Sequence, residues 1–467
     1  PTPAQARPAP AAAGLVTDAQ IAQGVVRLQD AQTNLTPSHV GHPGFENLGF
    51  LYDEAVVALI PFAMKNRAEA EQMLDHFDAR LRIPLAEVQS RADTNRVYGI
   101  LKLLTPVNRT QPPVRALING VNIRSTVRQG QGQMEYLTTP GPLSWLLLSM
   151  AHVNPTKYAQ SIQILEQALR AMQAPDGGVR DGDRQPDTVH TEPHVDAGVG
   201  LLIAARANPA QTPWPAPAEA AWRWFRGNVL DAAAGVIYQG LGPGGRSQRH
   251  ATDAYSWTLA GPFGDRIQQE FGLETLWRLT LTMLHRSLVQ VTWTAPDARQ
   301  RTSLQLDYTD PTDPAVMRPL VDDSMHPDYG VTRGGYHPAG SPEWSGGGVL
   351  GLQKTAVRFW RGGDREKAIQ CKAFADALED ETRGTFYPLD GVQLSPYSTA
   401  QNVGTGHGWR TPLYYVRTPQ GQTPVRGGSP VGGWVVLPSQ GINPFIPGET
   451  YKATFDQIPS TPIAEAR

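Results

Sequence analysis

The sequence predicts an all-α fold in which six apolar helices form an inner ring and more polar helices back them. Helical periodicities recur in pairs, an apolar helix followed by an amphipathic one, with Gly/Pro-rich connections between the pairs. No fixed-period sequence repeat accompanies them, so the repetition is architectural. With 467 residues and a 40% hydrophobic share, the chain can bury the large core that such a ring needs.

The elements follow in order. The opening PTPAQARPAPAAAG is Pro/Ala-rich and reads as a flexible leader over 1–16, left after processing of a secreted, periplasmic or cell-envelope protein; a trimmed cytoplasmic chain fits equally. TDAQIAQGVVRLQDAQ (17–32) is a helix that closes the ring from outside. The first pair is NLGFLYDEAVVALIPFAMKN (47–66) and RAEAEQMLDHFDARL (67–81), and the second is GPLSWLLLSMAHV (141–153), apolar nearly all round, with TKYAQSIQILEQALRAM (156–172). HVDAGVGLLIAARA (194–207) and PAEAAWRWFRGNVL (217–230) make the third. TDAYSWTLAG (252–261) is followed by a helix-like QQEFGLETLWRLTLTMLHRS (268–287), then EWSGGGVLGLQKTAVRFW (343–360) by DREKAIQCKAFADALED (364–380). SPVGGWVVLPSQGINPF (429–445) supplies a sixth inner helix, completing an (α/α)6 toroid. The connections 88–140, 174–193, 289–342 and 381–428 are longer than ordinary loops, so they are expected to carry function or short strands. VQVTWTA and SLQLDYT, within 289–309, read as one small β-hairpin insertion.

Composition removes several function classes. Lys+Arg 41 against Asp+Glu 43 leaves a net charge of -2, which provides no broad field for nucleic acid or an anionic membrane. The single cysteine, Cys371, excludes an internal disulfide and a Cys-based zinc site, and reads as a small buried hydrophobe. No stretch approaches the roughly 20 apolar residues of a membrane span; LSWLLLSM (143–150) comes nearest. GLGPGGRSQ (240–248) lacks the Lys-Ser/Thr ending of a phosphate loop, and neither a GxSxG elbow nor a catalytic Cys-His pattern is present.

FLYDEAVVALIPFAMKNRAEAEQML, HTEPHVDAGVGLLIAARA, ATDAYSWTLAG, SPEWSGGGVLGLQ and GWVVLPSQGINPF resemble the loop-to-inner-helix junctions of the α/α toroid superfamily of carbohydrate-active proteins, in its bacterial polysaccharide-associated members. That superfamily includes glycoside hydrolases, polysaccharide lyases and sugar 2-epimerases. The resemblance spans about residues 17–450 as architecture, leaving 451–467 as a tail, and it implies a substrate cleft at the end where the inner helices begin.

The titratable residues at those junctions are the candidates. Asp53 and Glu54 open the first inner helix about 100° apart, so at most one faces the cleft; we favour Asp53, with Tyr52 beside it, and a dipole-stabilised, solvated acid is the competing reading. DTVHTEPHVDAG (187–198) is the densest titratable cluster, and Glu192, His194 and Asp196 read either as sugar contacts or as a structural network. Asp181, Asp183, Gln185, Asp187 and Glu192 follow a calcium-loop spacing, but Pro186 stands where the turn wants Gly, so calcium is a weak fit and no cofactor is expected. Zinc is weaker: Pro193 interrupts His190 and His194.

Thr252-Asp253 fits an N-cap and first-turn acid, while the functional reading adds Tyr255, Ser256 and Trp257, of which Tyr255 and Trp257 offer aromatic faces on which a pyranose stacks. SPEWSGGG repeats that chemistry with Glu343 and Trp344. His407 and Trp409 in VGTGHGWRTPLYY, and Asp322, Asp323, His326, Asp328 and Tyr329 in VDDSMHPDYG, either line subsites or belong to polar surface loops. Glycoside hydrolysis needs one protonated and one ionised carboxyl. Glu343 and Asp253 are the leading pair, with Asp53 and Glu192 in reserve, and burial against Trp344 would raise Glu343 into the role of acid. The alternatives are a lyase or epimerase that uses His194, His407 or Tyr255 for proton abstraction, and a non-catalytic glycan-binding component of an exopolysaccharide or envelope assembly.

Overall fold

The computed structural model describes residues 15–40, 48–91, 99–122, 137–183, 185–206, 214–295, 299–312, 338–399, 415–418, 421–424, 427–428 and 430–460. Fifteen helices are described: α1 (Asp18–Leu28), α2 (Leu51–Ala63), α3 (Arg67–Leu81), α4 (Leu85–Arg91), α5 (Pro140–Val153), α6 (Ala159–Met172), α7 (Thr191–Arg206), α8 (Ala216–Asn228), α9 (Thr252–Ala260), α10 (Pro262–Phe271), α11 (Leu273–Ser287), α12 (Pro342–Arg361), α13 (Arg365–Arg383), α14 (Pro430–Ser439) and α15 (Lys452–Asp456).

Six of them close a ring. α2 packs on α5, α5 on α7, α7 on α9, α9 on α12, α12 on α14, and α14 back on α2. The outer helices α3, α6, α8, α11, α13 and α1 each lie on the inner helix that precedes them, or in the case of α1 on α14 and α2. The fold is therefore an (α/α)6 toroid. The division of labour follows from the residues. α5 buries every residue from Leu143 to Val153, because an inner helix is surrounded by two neighbours, a partner and the axis. α6 buries Ile162, Ile164, Leu165, Ala168 and Leu169 on one face and gives the other to solvent.

The helix read over 268–287 is two helices. Gly272, at φ +82, sits between α10 and α11 in a conformation that residues with a Cβ avoid, and the chain turns there. The tail read over 451–467 begins with structure: Tyr451, Phe455 and Ile458 are buried in the main core, and the Tyr451 hydroxyl donates to Gln353 at 2.9 Å. The leader read over 1–16 lies, except for Leu15 and Val16, outside the described residues.

The axis of the ring is filled with aromatics. Trp145, Trp257, Trp434 and Phe445 are buried and meet one another, with Trp257 stacked on Trp434 at 4.5 Å and Trp145 edge-on to Trp434 and Phe445 at 5.2 Å. The Gly run of α12 makes room for them. A Cβ on Gly346 would overlap the Trp434 backbone carbonyl, and one on Gly347 would overlap the Trp257 ring. Gly346→Ala is expected to destabilise the fold by about 1–3 kcal/mol, since backbone cannot rotate away as a side chain can. Denaturant unfolding of that variant beside the parent checks this.

Below the aromatics the ring is sealed by polar contacts: Lys354 pairs with Glu449, Asn443 donates to the Ala260 carbonyl at 3.0 Å, and Arg358 pairs with Asp265 at 2.8 Å. Above them, short strands lead directly into inner helices. Leu48–Phe50 pairs with Gly120–Asn122 before α2, Val189–His190 pairs with Gly240–Gly242 before α7, and Gly340–Ser341 pairs with Gln300–Asp307 before α12. The expected hairpin is present as Leu288–Thr294 against Gln300–Asp307. GLGPGGRSQ forms a hairpin, Gly240–Gly242 against Gly245–Ser247, and not a phosphate cradle. No helix among the described residues is long and apolar enough to cross a membrane.

Candidate active site

The four carboxylates read as catalytic candidates occupy the first turns of four inner helices: Asp53 on α2, Glu192 on α7, Asp253 on α9 and Glu343 on α12. The four stand at the same end of the ring, close enough for their charges to act on one another. Glu343 raises the proton affinity of Asp53, Glu192 and Asp253, and Glu192 raises that of Asp253. Asp196, one turn below Glu192 on α7, joins them through a carboxyl–carboxyl hydrogen bond with Glu192.

Glu343 is the best-built of these groups. Ser341 caps α12 by accepting the Trp344 N–H at 3.2 Å, Pro342 fills the first helical position, and Glu343 follows with its carboxyl turned inward. The Tyr52 hydroxyl donates to its Oε1 at 2.6 Å, and the Tyr397 phenol also hydrogen-bonds the carboxyl. No hydrogen-bond partner among the described residues reaches Oε2. Burial pushes Glu343 up to about 7, while the two phenols hold it from rising further.

Asp53 is steadied by the Ser38 hydroxyl, which in turn accepts the Phe50 N–H at 2.7 Å. Glu54, its neighbour, turns away and accepts from the Thr36 N–H at 2.9 Å, so only one of the adjacent acids faces the cleft. Asp253 accepts the Ala254 N–H at 2.7 Å. Asp53, Glu192 and Asp253 all sit well above the ordinary carboxylate range, first because burial penalises the charge and then because other carboxylates stand close by. Glu192, Tyr52 and Tyr397 are half-buried, whereas Asp53, Asp253 and Glu343 are buried. Five carboxyls buried this close together cannot all ionise, so protonated carboxyls persist there toward neutral pH.

Several residues read as sugar contacts have other work. His194 is fully buried between α7 and α8: its Nδ1 accepts the Val179 N–H at 3.1 Å, its Nε2 meets the Ala221 carbonyl at 2.9 Å, and its ring packs on Trp224. Both nitrogens are used by backbone, so His194 fixes a loop to a helix. The Tyr255 hydroxyl accepts the Ile237 N–H at 2.9 Å beneath His250. Trp257 belongs to the axial stack, and Trp344 packs edge-on against Tyr308 at 4.7 Å, while the groups that bond the Glu343 carboxyl are Tyr52 and Tyr397. Asp196 is buried and accepts the Trp145 indole N–H at 2.9 Å.

The calcium spacing does not gather its ligands. Asp181 pairs with His190 at 3.0 Å and Asp183 with Lys102 at 2.6 Å; among the described residues no group of three or more His, Cys, Asp or Glu is arranged to hold a metal. His407, Trp409, Asp322, Asp323, His326, Asp328 and Tyr329 lie outside the described residues. The residues missed were Tyr397, which no pattern in LSPYSTA singles out, and Trp145 and Trp434, which read simply as apolar helix positions.

Fold and mouth together define an α/α toroid with an acidic centre at the N-terminal ends of its inner helices. Solved structures of the same architecture include a glycosidase variant in complex with glucose, at 14% identity and a TM-score of 0.54, covering 91% of this chain and 95% of that one. A D-mannose isomerase matches at 8% identity and a TM-score of 0.53, covering 91% and 96%. A second glycosidase variant matches at 13% identity and 0.52, covering 91% and 95%. No protein-family model and no curated protein matches the sequence.

Proposed function

We propose that the protein is a carbohydrate-processing enzyme, a glycoside hydrolase that cleaves a polysaccharide or oligosaccharide by carboxyl acid/base catalysis. The observation that carries this reading is the convergence of Glu343, Asp253, Asp53 and Glu192 from four inner helices, with Glu343 near 7 and so protonated in weakly acidic solution. In this reading Glu343 gives its proton to the leaving glycosidic oxygen, and Asp253, in the leading assignment, has to ionise to activate water or attack the sugar carbon, although burial and its carboxyl neighbours raise its proton affinity too. Proton abstraction by His194 or Tyr255 is poorly supported, because both are committed to backbone partners. The glucose-bound glycosidase of the same fold adds support from outside the chain.

An acid that must carry its proton gives a rate that falls as pH rises through about 7, and the pH profile of turnover is expected to show that alkaline limb. The same group links pH to stability. The folded protein keeps a proton that the unfolded chain releases in the ordinary carboxylate range, so this contribution is complete below that range and is lost as pH rises through about 7. The test of the assignment is Asp253→Asn, Asp53→Asn and Glu192→Gln in parallel, each scored for turnover and for glycan binding. Loss of turnover by about 100-fold or more at Asp253 with binding retained supports it; parental turnover in all three would remove the carboxyl centre from the chemistry.

A further inference from the structure

The contact between Tyr52 and Glu343 has a direction imposed from behind. The Trp434 indole Nε1–H reaches the Tyr52 hydroxyl oxygen at 2.8 Å, and that hydroxyl reaches Glu343 Oε1 at 2.6 Å. An indole N–H only donates, so it occupies a lone pair of the phenol and leaves the phenol proton to point at Glu343. Oε1 is thereby an acceptor, which favours Oε2 as the seat of a proton carried by the carboxyl. Oε2 is also the buried oxygen that no partner among the described residues reaches.

We propose that Trp434 and Tyr52 form a one-way hydrogen-bond chain that fixes the reactive proton of Glu343 on Oε2, which makes them positioning residues for the acid and not sugar contacts. The proposal rests on the assignment of Glu343 as acid and adds which oxygen delivers the proton and what holds it there. The parts come from three inner helices, α14, α2 and α12, so the chain exists only when the ring is closed. Trp434 is itself held by its stack on Trp257. The titratable groups that face Glu343 are Tyr52 and Asp53 from α2, Glu192 from α7, Asp253 from α9, and Tyr308 and Tyr397 from the segments around α12. Of these, the two phenols that bond the carboxyl favour its ionised form.

Tyr52→Phe keeps the ring and removes the hydroxyl. Two readouts follow. The alkaline limb of the rate profile is expected to move up by about one pH unit, since an ionised Glu343 loses a donor, with kcat falling about 10-fold or more and KM little changed. Independently of turnover, infrared titration of the protonated carboxyl band, isolated as parent minus Glu343→Gln, is expected to shift the same way in Tyr52→Phe. Trp434→Phe, which keeps the stack but not the N–H, is expected to lower kcat while moving the titration less. If the infrared titration moves and no glycan is hydrolysed, the chain stands and the assigned reaction fails. If glycans are hydrolysed but Tyr52→Phe raises KM alone and leaves both titrations in place, the chain is wrong and Tyr52 is a substrate contact. A circular dichroism spectrum and unfolding midpoint near the parent's qualify each variant for the comparison.

Discussion

Glu343→Gln is expected to lower turnover by about 1,000-fold, while the protein stays folded and binds glycan as the parent does. The size follows from the role, because a neutral amide of the same shape keeps the packing of α12 but has no acidic proton to give. Folding should survive for a physical reason. Burial already favours the uncharged carboxyl, so an uncharged amide relieves the desolvation that pushes Glu343 up to about 7. The amide can still accept from the Tyr52 hydroxyl through its carbonyl. The variant should therefore be at least as stable as the parent above neutral pH, with a flatter dependence of stability on pH between the ordinary carboxylate range and about 7. Rate measurement and pH-dependent unfolding, made on the same sample, check both halves.

The second large effect is on stability. Trp145→Ala is expected to cost about 3–5 kcal/mol, the range for deleting a buried aromatic. Trp145 is fully buried at the axis, where it touches Tyr52, Trp257, Trp434 and Phe445. Its loss also takes the indole N–H from Asp196, leaving a buried carboxyl without that donor. Denaturant unfolding with an unchanged slope would report this as a lower midpoint. A loss under about 1 kcal/mol would mean that the axis is hydrated and not packed.

The architecture was legible because each inner helix is marked by more than periodicity. α5 is apolar on all sides, α12 carries a Gly run, and the outer helices α6 and α8 are amphipathic, so inner and outer roles separate in the sequence itself. What periodicity could not supply was the break at Gly272, because a single glycine inside an apolar-periodic run is compatible with a continuous helix until its φ is known.

The carboxyl centre was partly legible for a different reason. Acids in the first turn of a helix are conspicuous, and all four candidates lie there. The directions of their aromatic and histidine neighbours were not legible, because sequence adjacency does not give direction: Trp344 follows Glu343 yet packs on Tyr308, and His194 follows Glu192 yet turns into the core, the structural alternative the sequence left open. The partners that shape Glu343 come from 291 residues away on α2, and from Tyr397 in a segment without periodicity. Only the closed ring brings them together.

The central claim, that this mouth hydrolyses glycosidic bonds, is tested most directly by incubating the protein with a panel of bacterial and plant polysaccharides and oligosaccharides, following new reducing ends and new double-bond ultraviolet absorbance together. Hydrolysis by this mouth yields reducing ends without absorbance, and Glu343→Gln is expected to lose them. Absorbance rising with reducing ends would contradict it in favour of a lyase, and glycan binding with neither signal would make the toroid a non-catalytic binding protein.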